Sequence, residues 1–195
     1  MNGSMTNSDW VSAKYGKGLD LDTNDYLNTN IDISTWKQGT YGLWVKNTDL
    51  SDSNYAYLVQ GSNGTYCNEG IPLQRENRVF RYFINSNEQS MNVQSANGSL
   101  KLNTWQYLTV SWNTSGLSLY INGSLAAGDT TVDLTSTSKM GIIRVGGGYC
   151  SSANANKEVI DDFKIYNYVR TPKQIIEDMN AGHPAVGSPV GSALI

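Results

Sequence analysis

The sequence predicts an all-β protein, a sandwich or barrel of short strands with one short helix near its end. Three observations predict it. Apolar or alternating runs of strand length recur along the chain: YGLWVKN (41–47), YAYLVQG (55–61), RVFRYFI (78–84), SMNVQSA (90–96), TWQYLTVSWN (104–113), GLSLYING (116–123), IIRVGGG (142–148) and VIDDFKIYN (159–167). They are rich in β-branched and aromatic residues, which suit a pleated, half-buried surface. Asn-Gly, Ser-Gly and Asn-Ser pairs separate the runs and supply turn chemistry. Only the segment 171–182 shifts to a helical period with respectable caps.

The clearest hairpin is YLTVSWNTSGLSLYING (107–123), two runs joined by a turn at 113–116, with another turn at Asn122-Gly123. Trp44, Trp105 and Trp112 fall inside strand runs and read as core; the periodicity leaves Trp10 and Trp36 unassigned. Five Asn-x-Ser/Thr sequons begin at Asn2, Asn63, Asn97, Asn113 and Asn122, and four of them are Asn-Gly, so they read as turns before they read as glycan acceptors. The segments TYCNEG (65–70) and GGYCSSANANK (147–157) read as loops, one holding Cys67 and the other Cys150. A Cys67–Cys150 disulfide would close about 84 residues and stabilise by roughly 4 kcal/mol on the chain-entropy account, two free thiols being the alternative.

In the last strand run, alternation places Val159, Asp161, Phe163 and Ile165 on one face and Ile160, Asp162, Lys164 and Tyr166 on the other. If the first face is the core, Asp161 is a buried carboxylate and requires a partner. Beyond it, Thr171 and Gln174 form a capping box with Pro172 at the first helical position. Ile175, Ile176 and Met179 give that helix an apolar side, and Gly182 ends it. Residues 1–182 are read as one domain, and HPAVGSPVGSALI (183–195) as a flexible linker or tail.

Only 16% of the residues are charged and the balance is −3. No basic stripe exists to neutralise phosphates, so nucleic acid is not an expected partner. No apolar run is long enough to span a membrane as a helix, and MNGSMTNSDW has neither the basic nor the apolar region of a signal peptide. An excised module, a mature form and a cytosolic protein all accommodate that start.

The stretches WVSAKYGKGLDLDTNDYLNT, GTYGLWVKNTDL, LNTWQYLTVSWNTSGLSLYINGSLAA, IIRVGG and VIDDFKIYNYVRTPKQIIEDMNAG follow one another from Trp10 to Gly182. In that order they resemble the concanavalin A-like lectin/glucanase superfamily, specifically its laminin G-like jelly-roll modules. The resemblance implies a two-sheet antiparallel jelly-roll β-sandwich with one short C-terminal helix, and an extracellular or cell-surface setting. It also implies a structural calcium ion at the last strand, with Asp161 matching the family's aspartate and Asp162 next in line. Calcium collects six to eight oxygens, which suits a carboxylate beside free carbonyls. Asp20, Asp22 and Asp25 match the neighbourhood of the family's early acidic turn, from which Asp22 is the second expected metal ligand. The alternative is that Asp161 caps backbone N–H groups or pairs with Lys or Arg.

The superfamily includes hydrolases and lyases, and the residues oppose both. Glu69, Glu76, Glu88, Glu158 and Glu177 are the glutamates, and none begins the Glu-x-Asp-x-x-Glu pattern of laminarinase-type enzymes. Arg75, Glu76, Arg78 and Arg81 make a row like that of the alginate lyases, but the only histidine, His183, lies in the tail. That row reads as a sheet face with alternate charges in solvent. No catalytic residue is therefore expected. The expected function is a non-catalytic carbohydrate-binding, lectin-like module of a larger secreted or cell-surface protein, monomeric and with a glycan or surface protein as partner. Its expected ligand site is the pair of cysteine loops, with Tyr66, Asn68, Glu69, Tyr149, Asn154 and Asn156 supplying aromatic platforms and planar polar groups. The alternative is a protein–protein adhesion or spacer module.

Overall fold

A computed structural model describes residues 4–6, 9–22, 25–50, 55–62, 67–74, 77–86, 89–130, 141–146 and 157–180. The strands are β1 (Ser4–Thr6), β2 (Asp9–Ser12), β3 (Lys17–Leu21), β4 (Tyr26–Asp32), β5 (Gly39–Asn47), β6 (Tyr55–Ser62), β7 (Cys67–Gln74), β8 (Val79–Ser86), β9 (Gln89–Gln94), β10 (Trp105–Asn113), β11 (Gly116–Ile121), β12 (Ser124–Asp129), β13 (Ile142–Gly146) and β14 (Glu158–Tyr166). Helix α1 (Pro172–Asn180) follows. The strands form two antiparallel sheets of seven, a jelly-roll sandwich. The first sheet has the order β1-β4-β13-β6-β7-β8-β9, the second β12-β11-β10-β5-β14-β3-β2.

Period-2 alternation decides what lies between the sheets. On β5 and β10 of the second sheet, Tyr41, Leu43, Val45, Leu108, Val110 and Trp112 face inward and are buried. Phe80, Tyr82, Ile84, Ile143 and Val145 meet them from the first sheet in the same cluster. Trp112 links the two layers, with its ring centroid 4.9 Å from Tyr41 and 6.4 Å from Tyr82. Residues buried this fully contribute roughly 1.5–3 kcal/mol each. The predicted hairpin is present: β10 and β11 join through a two-residue turn with Asn113 opposite Gly116. At the next turn Asn122 and Gly123 both have positive φ, as an Asn-Gly turn between right-twisted strands requires. Asn122 Oδ1 also accepts the Tyr107 N–H at 2.8 Å, which fastens that turn to β10.

The outer face of the second sheet carries a smaller apolar cluster of Trp44, Tyr107 and Ile175, and there α1 docks. Trp44 is thus buried under the helix side of the sheet and not between the sheets. The capping box is complete: the Thr171 N–H donates to Gln174 Oε1 at 2.9 Å, and the Gln174 N–H donates to Thr171 Oγ1 at 3.3 Å. Ile175 is fully buried, whereas Ile176 stays 47% exposed. A polar clamp completes the docking. Arg170 grips the buried Asp178 carboxylate with two N–H bonds of 2.8 and 2.6 Å, and the Tyr166 hydroxyl donates to the same group at 2.8 Å. Burial and that bond to Asp178 push the Tyr166 phenol up to about 12.

Several strands were not legible as periodic runs. TYCNEG was expected to be a loop, yet the pairing of β6 with β7 reaches Ser62 opposite Cys67, so Cys67, Asn68 and Glu69 open a strand. The Asn63-Gly64 pair before it is a strong hairpin signal, and Pro72 within the run obscured the strand that follows.

Removing Arg170 leaves the Asp178 carboxylate buried without its cation. Arg170→Met is expected to cost roughly 3 kcal/mol and to lower the melting midpoint by roughly 6–12 °C for a domain of this size. Thermal unfolding followed by circular dichroism checks this; a loss of 1–2 °C would show that the clamp contributes little.

Candidate functional site

The last strand changes face where the two aspartates stand. Ile160 is opposite Val45 and Asp161 opposite Trp44, but Lys164 is opposite Gly42, so one extra residue is inserted on β14. Asp162 takes the left-handed conformation, with φ of 52°, which aspartate tolerates better than most residues. As a result Ile160, Phe163 and Ile165 all pack into the main core. Asp161 lies on the opposite face with Trp44, not beside Phe163 as strict alternation predicted. Its carboxylate is half-buried and satisfied by backbone: the Tyr15 N–H donates to Oδ2 at 2.7 Å and the Asp162 N–H to Oδ1 at 2.8 Å. Asp162 pairs with Lys164.

Asp22 is remote from this point. Glu158 is opposite Leu21 and Ile160 opposite Leu19, so Asp161 and Asp22 stand about four positions apart along the strand pair. That is roughly 13 Å, too far for one ion. Asp22 is exposed at the β3–β4 turn, where its N–H donates to Asp25 Oδ2 at 3.0 Å. Among the described residues no three His, Cys, Asp or Glu side chains gather as a metal-holding group. Asp20, next to this turn, has its carboxyl pushed above the ordinary aspartate value by burial first, then by the charges of Asp22, Asp25 and Asp9.

Of the predicted loop site, Tyr66, Tyr149, Cys150, Asn154 and Asn156 lie outside the described residues. For Cys67, Asn68 and Glu69 the backbone alone is described. In the arginine row, Arg75 and Glu76 also lie outside, Arg78 is exposed just before β8, and Arg81 is half-buried on that strand opposite Gln94.

The outer face of the first sheet presents a site that sequence reasoning missed. Register lines up Asn28, Arg144, Gln60, Gly70, Phe83 and Asn92 across six neighbouring strands. Partners directly opposite share a face, so these residues form one transverse band. Arg144 is held flat within it: its guanidinium carbon lies 3.7 Å from the Tyr26 ring centre, and its Nε donates to Asn28 Oδ1 at 3.0 Å. Tyr57 meets Phe83 edge to face at 6.3 Å. Arg81 and Gln94 form the adjoining pair. The band thus offers the Asn28 and Asn92 amides and the Arg144 guanidinium beside the half-buried Tyr26, Tyr57 and Phe83 rings, while Gln60 lies buried beneath its surface. The available signal was polar residues alternating with core residues on five strands, but nothing in the linear order says that those positions meet.

The fold and its relatives agree. A laminin G-type family model of the Concanavalin A-like lectin/glucanases superfamily matches residues 21–176. The chain belongs to that superfamily. Among curated protein sequences none matches this concanavalin A-like chain significantly. Solved structures give the same architecture. The receptor binding domain of botulinum neurotoxin C/D mosaic serotype superposes with a TM-score of 0.71 at 15% identity, covering 90% of this chain and 45% of that one. The ligand binding domain of botulinum neurotoxin serotype D, in complex with N-acetylneuraminic acid, gives 0.69 at 13% identity over 90% and 44%. A Trypanosoma rangeli sialidase in complex with 2,3-difluorosialic acid gives 0.69 at 15% identity over 91% and 29%. At these identities the likeness is one of fold, and this chain spans less than half the length of each of those chains. Among the described residues no helix is long and apolar enough to cross a membrane.

A raised Asp20 pKa means that ionising this group opposes folding. Its favourable contribution is present at low pH and is lost as pH rises through the folded-state value. Asp20→Asn is therefore expected to raise the melting midpoint slightly at pH 7, with the gain vanishing as pH falls to the ordinary aspartate range. Melting curves between pH 3 and 8 check the sign; a lower midpoint at pH 7 would refute it.

Proposed function

We propose that this domain is a carbohydrate-binding module without a catalytic centre of its own, part of a larger secreted or cell-surface protein, and that it reads an acidic glycan across the outer face of the first sheet. The observation that carries this reading is the band Asn28–Arg144–Gln60–Gly70–Phe83–Asn92. Sugars are recognised by planar polar side chains that meet vicinal hydroxyls and by aromatic faces that cover the apolar side of the ring, and the band supplies both. Arg144, already oriented by Tyr26 and Asn28, offers a cation with little ordering entropy left to lose. A carboxylated sugar is its natural complement. The N-acetylneuraminic acid held by one structural neighbour and the difluorosialic acid held by another are consistent with this class.

A glycan array spanning neutral and acidic oligosaccharides tests the reading. Acidic glycans are expected to be retained, more weakly at higher salt. Arg144→Ala is expected to weaken binding about 10- to 100-fold, the worth of a charge-assisted hydrogen bond, and Phe83→Ala comparably. Retention of no glycan, with capture of a cell-surface protein instead, would favour the adhesion reading. Binding indifferent to both substitutions would move the site elsewhere.

For Asp161 we propose a capping role in place of calcium ligation. Both its oxygens accept backbone N–H bonds, one of them from the turn that joins β2 to β3. This reading is supported by the distance to Asp22 along the strand pair. Asp161→Asn keeps the shape but weakens one of the two bonds and abolishes the other, because its NH2 group cannot accept an N–H, an expected loss of about 1–3 kcal/mol. Melting curves with calcium and with a chelator are expected to coincide for the wild type and for the variant. A calcium-dependent rise in the wild type that Asp161→Asn abolishes would restore the ion.

A further inference from the structure

The open flank of the sandwich, where β1 and β4 edge one sheet and β2 and β3 the other, holds a second candidate site. On the inner face of the second sheet, Trp10, Leu19, Ile160 and Val45 form a transverse row. On the inner face of the first, Leu27, Val145 and Val59 form the row that faces it. Val45 and Val59 lie in the main core, where the two sheets are filled. Toward the flank the rows part and leave a pocket of about 150 Å³, lined by Leu19, Leu27, Val145, Ile160, Phe163 and Trp10. Gly18 forms part of the wall, and a Cβ there would stand 2.4 Å from the Ile160 carbonyl oxygen, so β3 and β14 approach closely behind the pocket. Lys17, Asp161 and Asp162 complete the lining and are its polar members.

Trp10 is the anomaly. It occupies the core side of an edge strand, yet it remains 56% exposed at the pocket mouth. A large aromatic ring left this exposed against an apolar recess forgoes burial that a ligand can restore. The recess is the size of one six-membered ring; apolar cavities of about 150 Å³ elsewhere stay dry and accept benzene.

We propose that this flank pocket binds the aromatic ring of a small molecule, whose polar substituent remains in water beside Lys17. The ring enters between Leu27 and Leu19 and stacks against Trp10, which closes over it. The Asp161 carboxylate is turned to the other face of the sheet and held by N–H donors, and Asp162 pairs with Lys164, so neither demands a cationic ligand. The site lies between the sheets, apart from the band on the outer face of the first sheet.

Phenol is the probe, with cyclohexanol and glucose beside it, read by the indole N–H signals of the ¹⁵N-labelled protein. The Trp10 signal is assigned by its loss in Trp10→Phe. Phenol is expected to shift it saturably while the other tryptophan signals stay in place; glucose should leave it unmoved. Leu27→Phe fills the recess and is expected to weaken the phenol response about tenfold or more. Trp10→Ala, on an exposed edge where folding is not at stake, is expected to weaken ligand-observed saturation transfer similarly. No saturable shift in the wild type, equal shifts at all tryptophans, a stronger response to glucose than to phenol, or full binding retained in both variants would each overturn the proposal.

Discussion

One inserted residue in β14 governs how this molecule is assembled. β14 lies between β5 and β3 in the second sheet, so its side chains touch the core on one face and the helix side on the other. Strict alternation from Ile160 would turn Phe163 and Ile165 outward. The bulge at Asp161–Lys164, made possible by the left-handed backbone at Asp162, returns both to the core. Asp161, just ahead of the bulge, keeps the face opposite Ile160 and meets the β2–β3 turn, where it accepts the Tyr15 N–H. The bulge also sets Lys164 and Tyr166 against Asp178 of the helix. Core, edge hairpin and helix are thus coordinated from five consecutive residues and Tyr166 beside them.

The polar groups around this strand are connected so that few carry unpartnered charge. Asp178 is nearly buried but holds Arg170 on two oxygens and Tyr166 on one. The buried Glu158 accepts from Asn47 Nδ2 at 2.6 Å and from the Lys157 N–H at 2.8 Å. Burying a carboxylate is costly without such partners, and the bonds fix one geometry where an apolar contact would allow several. The helix side of the second sheet is consequently rigid and occupied. The outer face of the first sheet, where Tyr26, Tyr57, Phe83 and Arg144 stand half-buried and Asn92 is exposed, is the surface left to meet a ligand.

Parts of this were legible in the linear order. The runs that begin at 41, 55, 78, 90, 104, 116, 142 and 159 each contain a strand, because local alternation and turn residues report directly on the pleat. The Thr171–Gln174 capping box closed as expected, since it depends on four adjacent residues. The short edge strands β2 and β12 bury little and so leave no periodic trace. The strand β7 was hidden by Pro72 and by turn-like residues at its start.

The sequence by itself determined the class of fold, the hairpins and the capped helix, because each follows from interactions among neighbours in the chain. Only the tertiary structure decided which face Asp161 occupies, since a bulge is set by pairing with β5 and not by the alternation of β14 alone. Only it separated Asp161 from Asp22, through the register of β3. Only it assembled Asn28, Arg144, Gln60, Phe83 and Asn92 into one band, because residues so distant along the chain become neighbours through strand order and hydrogen-bond register, which non-local pairing supplies.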